Sequence, residues 1–255
     1  MTEPILRATN LTKRYGKFAA VNDVTLDVMP GVIHSVIGPN GAGKTTLFHT
    51  LTGTVPITEG TINVSGENIT NLPDYKRVLK GLARSFQVTS LFTSLTVWEN
   101  LRIAAQGRNP LQALLAWRDV ESFAAPSAQA DTLIRRLNLE AVSQRQVGEL
   151  SHGQQRRLEV GMAMAGRPKV ILLDEPTSGM GIDDIAEMKR LIRDLRTDYT
   201  VLLIEHNMDI VMDISDKITV MQQGRILVEG EPDEVRHDER VRRAYLGSMI
   251  TGGRA

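Results

Sequence analysis

The sequence predicts an α/β fold: a mainly parallel sheet, a small group of antiparallel strands, and a run of helices inserted between them. Three observations carry this. Val170 to Leu173 and Val201 to Ile204 are continuously apolar, as parallel strands buried on both faces require, whereas Val24 to Val28 and Thr61 to Val64 alternate apolar with polar, as half-buried antiparallel strands do. Between the two apolar runs Ile185, Met188, Leu191, Ile192 and Leu195 recur at helical spacing, which gives a β-α-β rhythm. From Val88 to Leu150 strand signals vanish and helical stripes replace them.

In chain order, Met1 to Asn10 carries Glu3 and Pro4 where a signal peptide needs a charged start and a long apolar stretch, so no export signal is expected. Val32 to Ile37 reads as a strand entering a glycine-rich turn, and Lys44 to Leu51 as the helix after it. In the insertion one stripe runs through Val97, Leu101 and Ala104 and another through Ala130, Leu133, Ile134 and Leu137. Thr96 and Glu99 have the spacing of a capping box. Asn109, Pro110 and the stretch Ala124 to Ala128 read as loops inside the insertion. After His206 come a short helix, a hairpin from Lys217 to Val220 and Ile226 to Val228 around Gln222-Gln223-Gly224-Arg225, and a last helix from Glu239 to Leu246. The longest apolar runs, near Leu111 to Trp117 and Val201 to Ile204, fall short of the ~20 residues that cross a bilayer.

The 255 residues carry 30 Lys+Arg against 30 Asp+Glu with the signs interspersed, which speaks against a nucleic-acid partner. With 42% hydrophobic residues there is material for one large core, or for a core and a satellite subdomain. The absence of Cys excludes a disulfide framework, a zinc-thiolate site and a cysteine nucleophile.

Gly38-Pro39-Asn40-Gly41-Ala42-Gly43-Lys44-Thr45 matches G-x-x-x-x-G-K-S/T, the phosphate-binding loop. Its glycines let successive N–H groups face one anion, and the following helix adds the positive end of its dipole. Lys44 is expected on the β/γ-phosphates and Thr45 on Mg²⁺. Val170 to Leu173 then deliver Asp174 and Glu175 to the carboxyl end of a strand, where open α/β sheets place their chemistry. Asp174 is expected to hold magnesium through its outer shell and Glu175 to accept a proton from the attacking water, a contribution of about 10²- to 10⁴-fold. His206, after Val201 to Ile204 and Glu205, stands at the same edge and suits the γ-phosphate or the water, and Gln87 is a neutral candidate ligand for magnesium or water. Leu150-Ser151-His152-Gly153-Gln154-Gln155 is either a plain capped helix start or an anion site made of the Ser151 hydroxyl, the Gly153 N–H and the helix dipole. Such a site has no phosphate of its own and calls for a second molecule.

These motifs, in this order, resemble the nucleotide-binding subunit of an ABC transporter over essentially the whole chain. The resemblance implies that Tyr15 stacks on adenine, that Gly38 to Thr46 is the Walker A loop, Gln87 the Q-loop, Leu150 to Gln154 the signature, Asp174-Glu175 the Walker B pair and His206 the switch histidine. Gly38, Pro39, Asn40, Gly41, Ala42, Gly43, Lys44, Thr45, Thr46, Ser151, Gly153 and Gln154 are then the nucleotide-binding set. It implies a P-loop RecA-like core with an antiparallel β-subdomain in residues 1–87 and 151–255, and a helical subdomain in 88–150. It further implies ATP and Mg²⁺ as cofactors and a head-to-tail dimer with a second ABC ATPase subunit, identical or paralogous. The other partners implied are transmembrane permease subunits at the cytoplasmic face of the membrane, which dock near Arg84 to Asn100, and a solute-binding protein upstream. Most of Phe86, Leu91, Phe92 and Trp98 are expected in the core.

Within that family the stretch Val201 to Met208, the insertion, and the ending from Gly230 to Gly247 resemble importers of branched-chain amino acids, with urea and amide importers alike. An exporter or lipid-extraction ATPase is the alternative, and a non-transport ABC protein or a P-loop kinase fits less. Two departures stand out: His152 replaces the usual first glycine after the signature serine, and Gly181 ends the loop after Walker B where the family has an aspartate.

Overall fold

A computed structural model describes residues 3–85, 91–107 and 124–251. Its largest sheet has six strands in the order β10-β9-β3-β8-β7-β6. These are β3 (Ile33–Ile37), β6 (Leu82–Arg84), β7 (Val170–Asp174), β8 (Thr200–Ile204), β9 (Lys217–Gln222) and β10 (Arg225–Gly230), parallel except for the β9/β10 hairpin. The second sheet is antiparallel, in the order β2-β1-β4-β5, and consists of β1 (Leu6–Tyr15), β2 (Phe18–Val28), β4 (Glu59–Val64) and β5 (Glu67–Asn68).

The uninterrupted apolar runs have the expected cause. Val170, Leu172, Leu202 and Ile204 face a core shared with the antiparallel sheet and with α1 (Lys44–Thr52). Ile171, Leu173, Val201 and Leu203 face the opposite core, beneath α3 (Val97–Gln106), α4 (Ala124–Arg136), α5 (His152–Ala165) and α6 (Ile182–Leu195). Alternation is present, but both faces are covered, so every position is apolar. A third cluster, Ile37, Val211, Ile218, Val220, Val235 and Val241, joins the hairpin to α7 (Met208–Ile214), α8 (Pro232–His237) and α9 (Glu239–Thr251).

Several elements differ from the sequence expectation. β1 was not predicted because its alternation is broken: its register with β2 shifts between Ala8 and Leu11, around Asn10 at φ 48°. The stretch Ala124 to Ala128, expected as a loop, is the first turn of α4, where Pro126 needs no intrahelical donor. In α3 Ala104, expected on the apolar stripe, packs half-buried against the core, and Ala105 beside it is buried. The Thr96 and Glu99 capping box is present, and Asn109 and Pro110 lie outside the described residues. Of the expected aromatic and aliphatic core residues, Leu91 is buried and Trp98 packs on the core, but Phe92 is exposed; Phe86 is not among the described residues.

Candidate active site

Because β3, β8, β7 and β6 are neighbours and parallel, their carboxyl ends meet at one edge. The register pairs Val36 with Ile204, Asp174 with Ile204 and Arg84 with Leu172, so the loop after β3, the Asp174-Glu175 pair and Glu205-His206 emerge together.

The loop Gly38 to Gly43 can be built only from glycine at its two ends. Gly38 has φ 153°, and a Cβ there would lie 2.2 Å from the Met221 carbonyl oxygen; Gly43 has φ 99°, and its Cβ would lie 2.3 Å from that of Ala20. Gly43 is the N-cap of α1, with no side-chain cap, so the first N–H groups of the helix stay available to an anion. Lys44 folds back: its Nζ donates to Gly38 O at 2.7 Å and to Pro39 O at 3.2 Å. Burial pulls its pKa down, opposed by Glu175 and Asp174. Thr45 is exposed and Thr46 half-buried at the start of α1.

Across the edge, Glu175 has φ 46°, a left-handed backbone that costs a non-glycine residue energy and aims its side chain off the strand. His206 Nδ1 lies 3.5 Å from Glu175 Oε1. Burial raises the Asp174 pKa, with Arg84 acting against it from 3.9 Å. Arg84 also lies over the Phe48 ring at 5.0 Å and reaches His49 Nε2 at 3.4 Å.

Sequence reasoning passed over Glu205. Its carboxylate is 0% exposed. Oε1 accepts from Thr177 N at 3.1 Å and Thr177 Oγ1 at 2.5 Å, and Oε2 accepts from His206 N at 3.2 Å, so one buried acid ties the segment after Glu175 to the segment bearing His206. A charged residue ending a wholly apolar strand was the available signal.

Tyr15 ends β1 at an exposed hairpin tip, with Lys13 Nζ 5.0 Å from its ring centroid, and β2, the other strand of that hairpin, lays the Ala20 carbonyl against Gly43. Ser151 and Gln154 form a reciprocal capping box at the start of α5 and are not buried. Gly153 lies against Asp184, whose Cγ would be 2.3 Å from an added Cβ. Among the described residues no hydrogen bond joins Ser151 to Gln154 with the phosphate loop. The structure thus brings Gly38 to Thr46, Asp174, Glu175 and His206 to one edge, while Ser151 to Gln154 shares no hydrogen bond with the phosphate loop among the described residues. Gln87 lies outside the described residues.

This fold and this strand edge are matched in known proteins. The sequence profile of ABC transporters fits residues 21–178. The chain belongs to the ABC transporter family. A second profile, of the branched-chain amino acid ATP-binding cassette transporter, fits residues 225–249. The chain is 41% identical over 253 residues to the high-affinity branched-chain amino acid transport ATP-binding protein BraF of Pseudomonas aeruginosa, covering 97% of this chain and 99% of that protein. To LivG of Escherichia coli K12, of the same description, it is 39% identical, with coverages of 97% and 99%. It is 36% identical to the lipopolysaccharide export system ATP-binding protein LptB of Haemophilus influenzae, over 96% of this chain and 98% of that one. Among solved structures, the MJ1267 ATP-binding cassette of an ABC transporter in its ADP conformation superposes with TM-score 0.84 at 32% identity, covering 96% of this chain and 100% of that one. As an ABC ATPase, the chain binds and hydrolyses ATP. No helix among the described residues is long and apolar enough to cross a membrane.

Proposed function

We propose that this ATPase energises uptake of branched-chain amino acids or a related small polar solute, through transmembrane permease subunits at the cytoplasmic face of the membrane, with a solute-binding protein upstream. The observation that carries the mechanism is that one chain presents two half-sites that share no hydrogen bond among the described residues: a strand edge with its phosphate loop, and an exposed Ser151 capping box. The second half-site has the geometry to receive an anion but belongs to no phosphate loop, so a second cassette, identical or paralogous, brings the phosphate to it by docking head to tail.

In this reading Lys44 leaves the Gly38 and Pro39 carbonyls for the β- and γ-phosphates, and the N–H groups of Gly41, Gly43 and the uncapped first turn of α1 complete the cradle. Tyr15 covers the adenine from its hairpin tip. The donor set suits magnesium: Asp174 and the Thr45 hydroxyl are hard oxygen ligands, and few protein ligands are needed where phosphates and water fill the rest. When bound, Mg²⁺ neutralises charge on the transferring phosphoryl group. Glu175 takes the proton of the attacking water, while His206, 3.5 Å away, orients that carboxylate, and Gln87 is assigned to the metal or the water. Ser151, Gly153 and Gln154 of one cassette face the γ-phosphate of the other. A groove of about 730 Å³ beside Arg84, walled by Tyr75, Val78 and Leu79 of α2 (Asp74–Leu79) and by Met162, suits the permease. The choice of solute rests on the relatives BraF and LivG and on the profile over 225–249.

The test is Glu175→Gln in size exclusion with light scattering. The expected outcome is a dimer with MgATP and a monomer without it, lost again in the double variant with Ser151→Arg; a monomer under both conditions overturns the shared site.

A further inference from the structure

His152 and Gly181 depart from the family pattern, and neither position enters the chemistry above. In the structure the segments that carry them touch. Gly181 is the N-cap of α6 and brings no side-chain cap, so the negative charge at that helix end comes from Asp183 and Asp184 in the first turn. Asp183 is exposed, whereas Asp184 turns onto the start of α5. A Cβ added at Gly153 would lie 2.3 Å from Asp184 Cγ, 2.4 Å from Oδ1 and 2.5 Å from Oδ2, so the carboxylate fills the space that a side chain of the signature would take. Beside it the His152 ring covers Gly179, its Cε1 3.3 Å from the place of a Cβ there. One helical turn further along, Arg157 and Glu187 neutralise each other. Among the described residues no hydrogen bond or ion pair engages the Asp184 carboxylate, although it is half-buried. Its position accounts for this: it stands in the first turn of α6 and against the first turn of α5, where both helix dipoles favour a negative charge.

We propose that Asp184 is a resident anion of the signature segment, a charge built into the chain that the phosphate of a second cassette has to meet, and that it thereby sets how much ATP the pair needs in order to close. The inference rests on the reading that Ser151 and Gly153 receive that phosphate. An incoming γ-phosphate brings further negative charge to the helix end on which Asp184 already rests, and the two repel. Being fixed in α6, the carboxylate cannot leave as a free ion would. Asp184 touches no reacting atom; it is a positioning residue that acts through the end of α5.

Asp184→Asn keeps the shape and removes the charge. In the Glu175→Gln background, the ATP concentration that gives half-maximal dimer in light scattering at low salt should fall about three- to tenfold, and in about 0.5 M NaCl the difference should shrink to less than about twofold. Binding of ATP to the chain's own phosphate loop, measured by calorimetry in the Ser151→Arg background where no dimer forms, should stay within about twofold. Asp183→Asn is the control: it removes the neighbouring exposed charge and should shift dimerisation less than about twofold. A dimer that forms at the same ATP concentration in Asp184→Asn, or that needs more, overturns the resident anion alone. So does an equal shift from Asp183→Asn, which assigns the effect to net charge. A Glu175→Gln chain that forms no dimer with MgATP overturns the shared site and this inference with it.

Discussion

Replacing Glu205 separates two roles that the strand edge combines. In Glu205→Gln the side chain keeps its shape, but one oxygen becomes an NH₂ group. The amide oxygen does best at the Oε1 position, where it still accepts from Thr177 N and Oγ1; the NH₂ group then faces the His206 N–H, donor against donor. One charge-assisted bond is lost and one donor is left unpaired, about 2 kcal/mol. Glu205→Ala strands all three donors and opens a cavity, about 4 kcal/mol. With a urea m-value of about 3 kcal/mol/M, the glutamine variant should lose about 0.7 M in midpoint. Because the lost bond orients the segment bearing His206, kcat should fall about tenfold or more while KM for ATP moves less than about twofold. Urea titration followed by tryptophan fluorescence, and steady-state phosphate release, measure the two effects. A midpoint within about 0.2 M of the parent, with kcat unchanged, would refute the reasoning.

Gly43→Ala places a Cβ on the Ala20 carbonyl at a left-handed position and should abolish ATP binding, read by calorimetry; full retention would mean that the loop has another shape. Arg77 is buried in α2 and its guanidinium donates to the carbonyls of Thr50, Leu51, Thr70 and Leu72, closing the C-terminus of α1, so Arg77→Met should cost about 3 to 5 kcal/mol in urea unfolding. His34 is buried in β3, and burial lowers its pKa to about 4. The unfolded chain therefore binds the proton first, and His34 lowers stability as pH falls from about 6.5 to about 4, by up to about 3 kcal/mol. His34→Leu should flatten the dependence of the urea midpoint on pH over that interval, and an unchanged slope would place its origin elsewhere.

What was legible in the sequence is what local chemistry dictates. The glycines of the phosphate loop, the apolar strands β7 and β8, the Thr96 and Ser151 capping boxes, and the Gln223-Gly224 turn, whose two residues have φ 50° and 78°, each have a cause within a few residues. What stayed hidden depends on distant partners. β1 loses its alternation at a bulge, and β6 is three residues long. α2 exposes Tyr75, Val78 and Leu79 and buries an arginine, the reverse of an amphipathic pattern, because that arginine serves the end of another helix. Glu205 and Arg84 acquire their meaning only when β6, β7 and β8 lie side by side.

Gly38, Glu175 and His206 leave three adjacent strands whose parallel ladders lock them residue to residue. Their spacing is set by the peptide repeat, with side chains having little say in it. Mutational drift inside those strands, so long as it preserves bulk on both faces, is absorbed as changes in stability before it reaches the distances at the edge. A lineage can therefore rewrite most of such a chain, and trade one cargo for another, around a reaction centre that stays the same size.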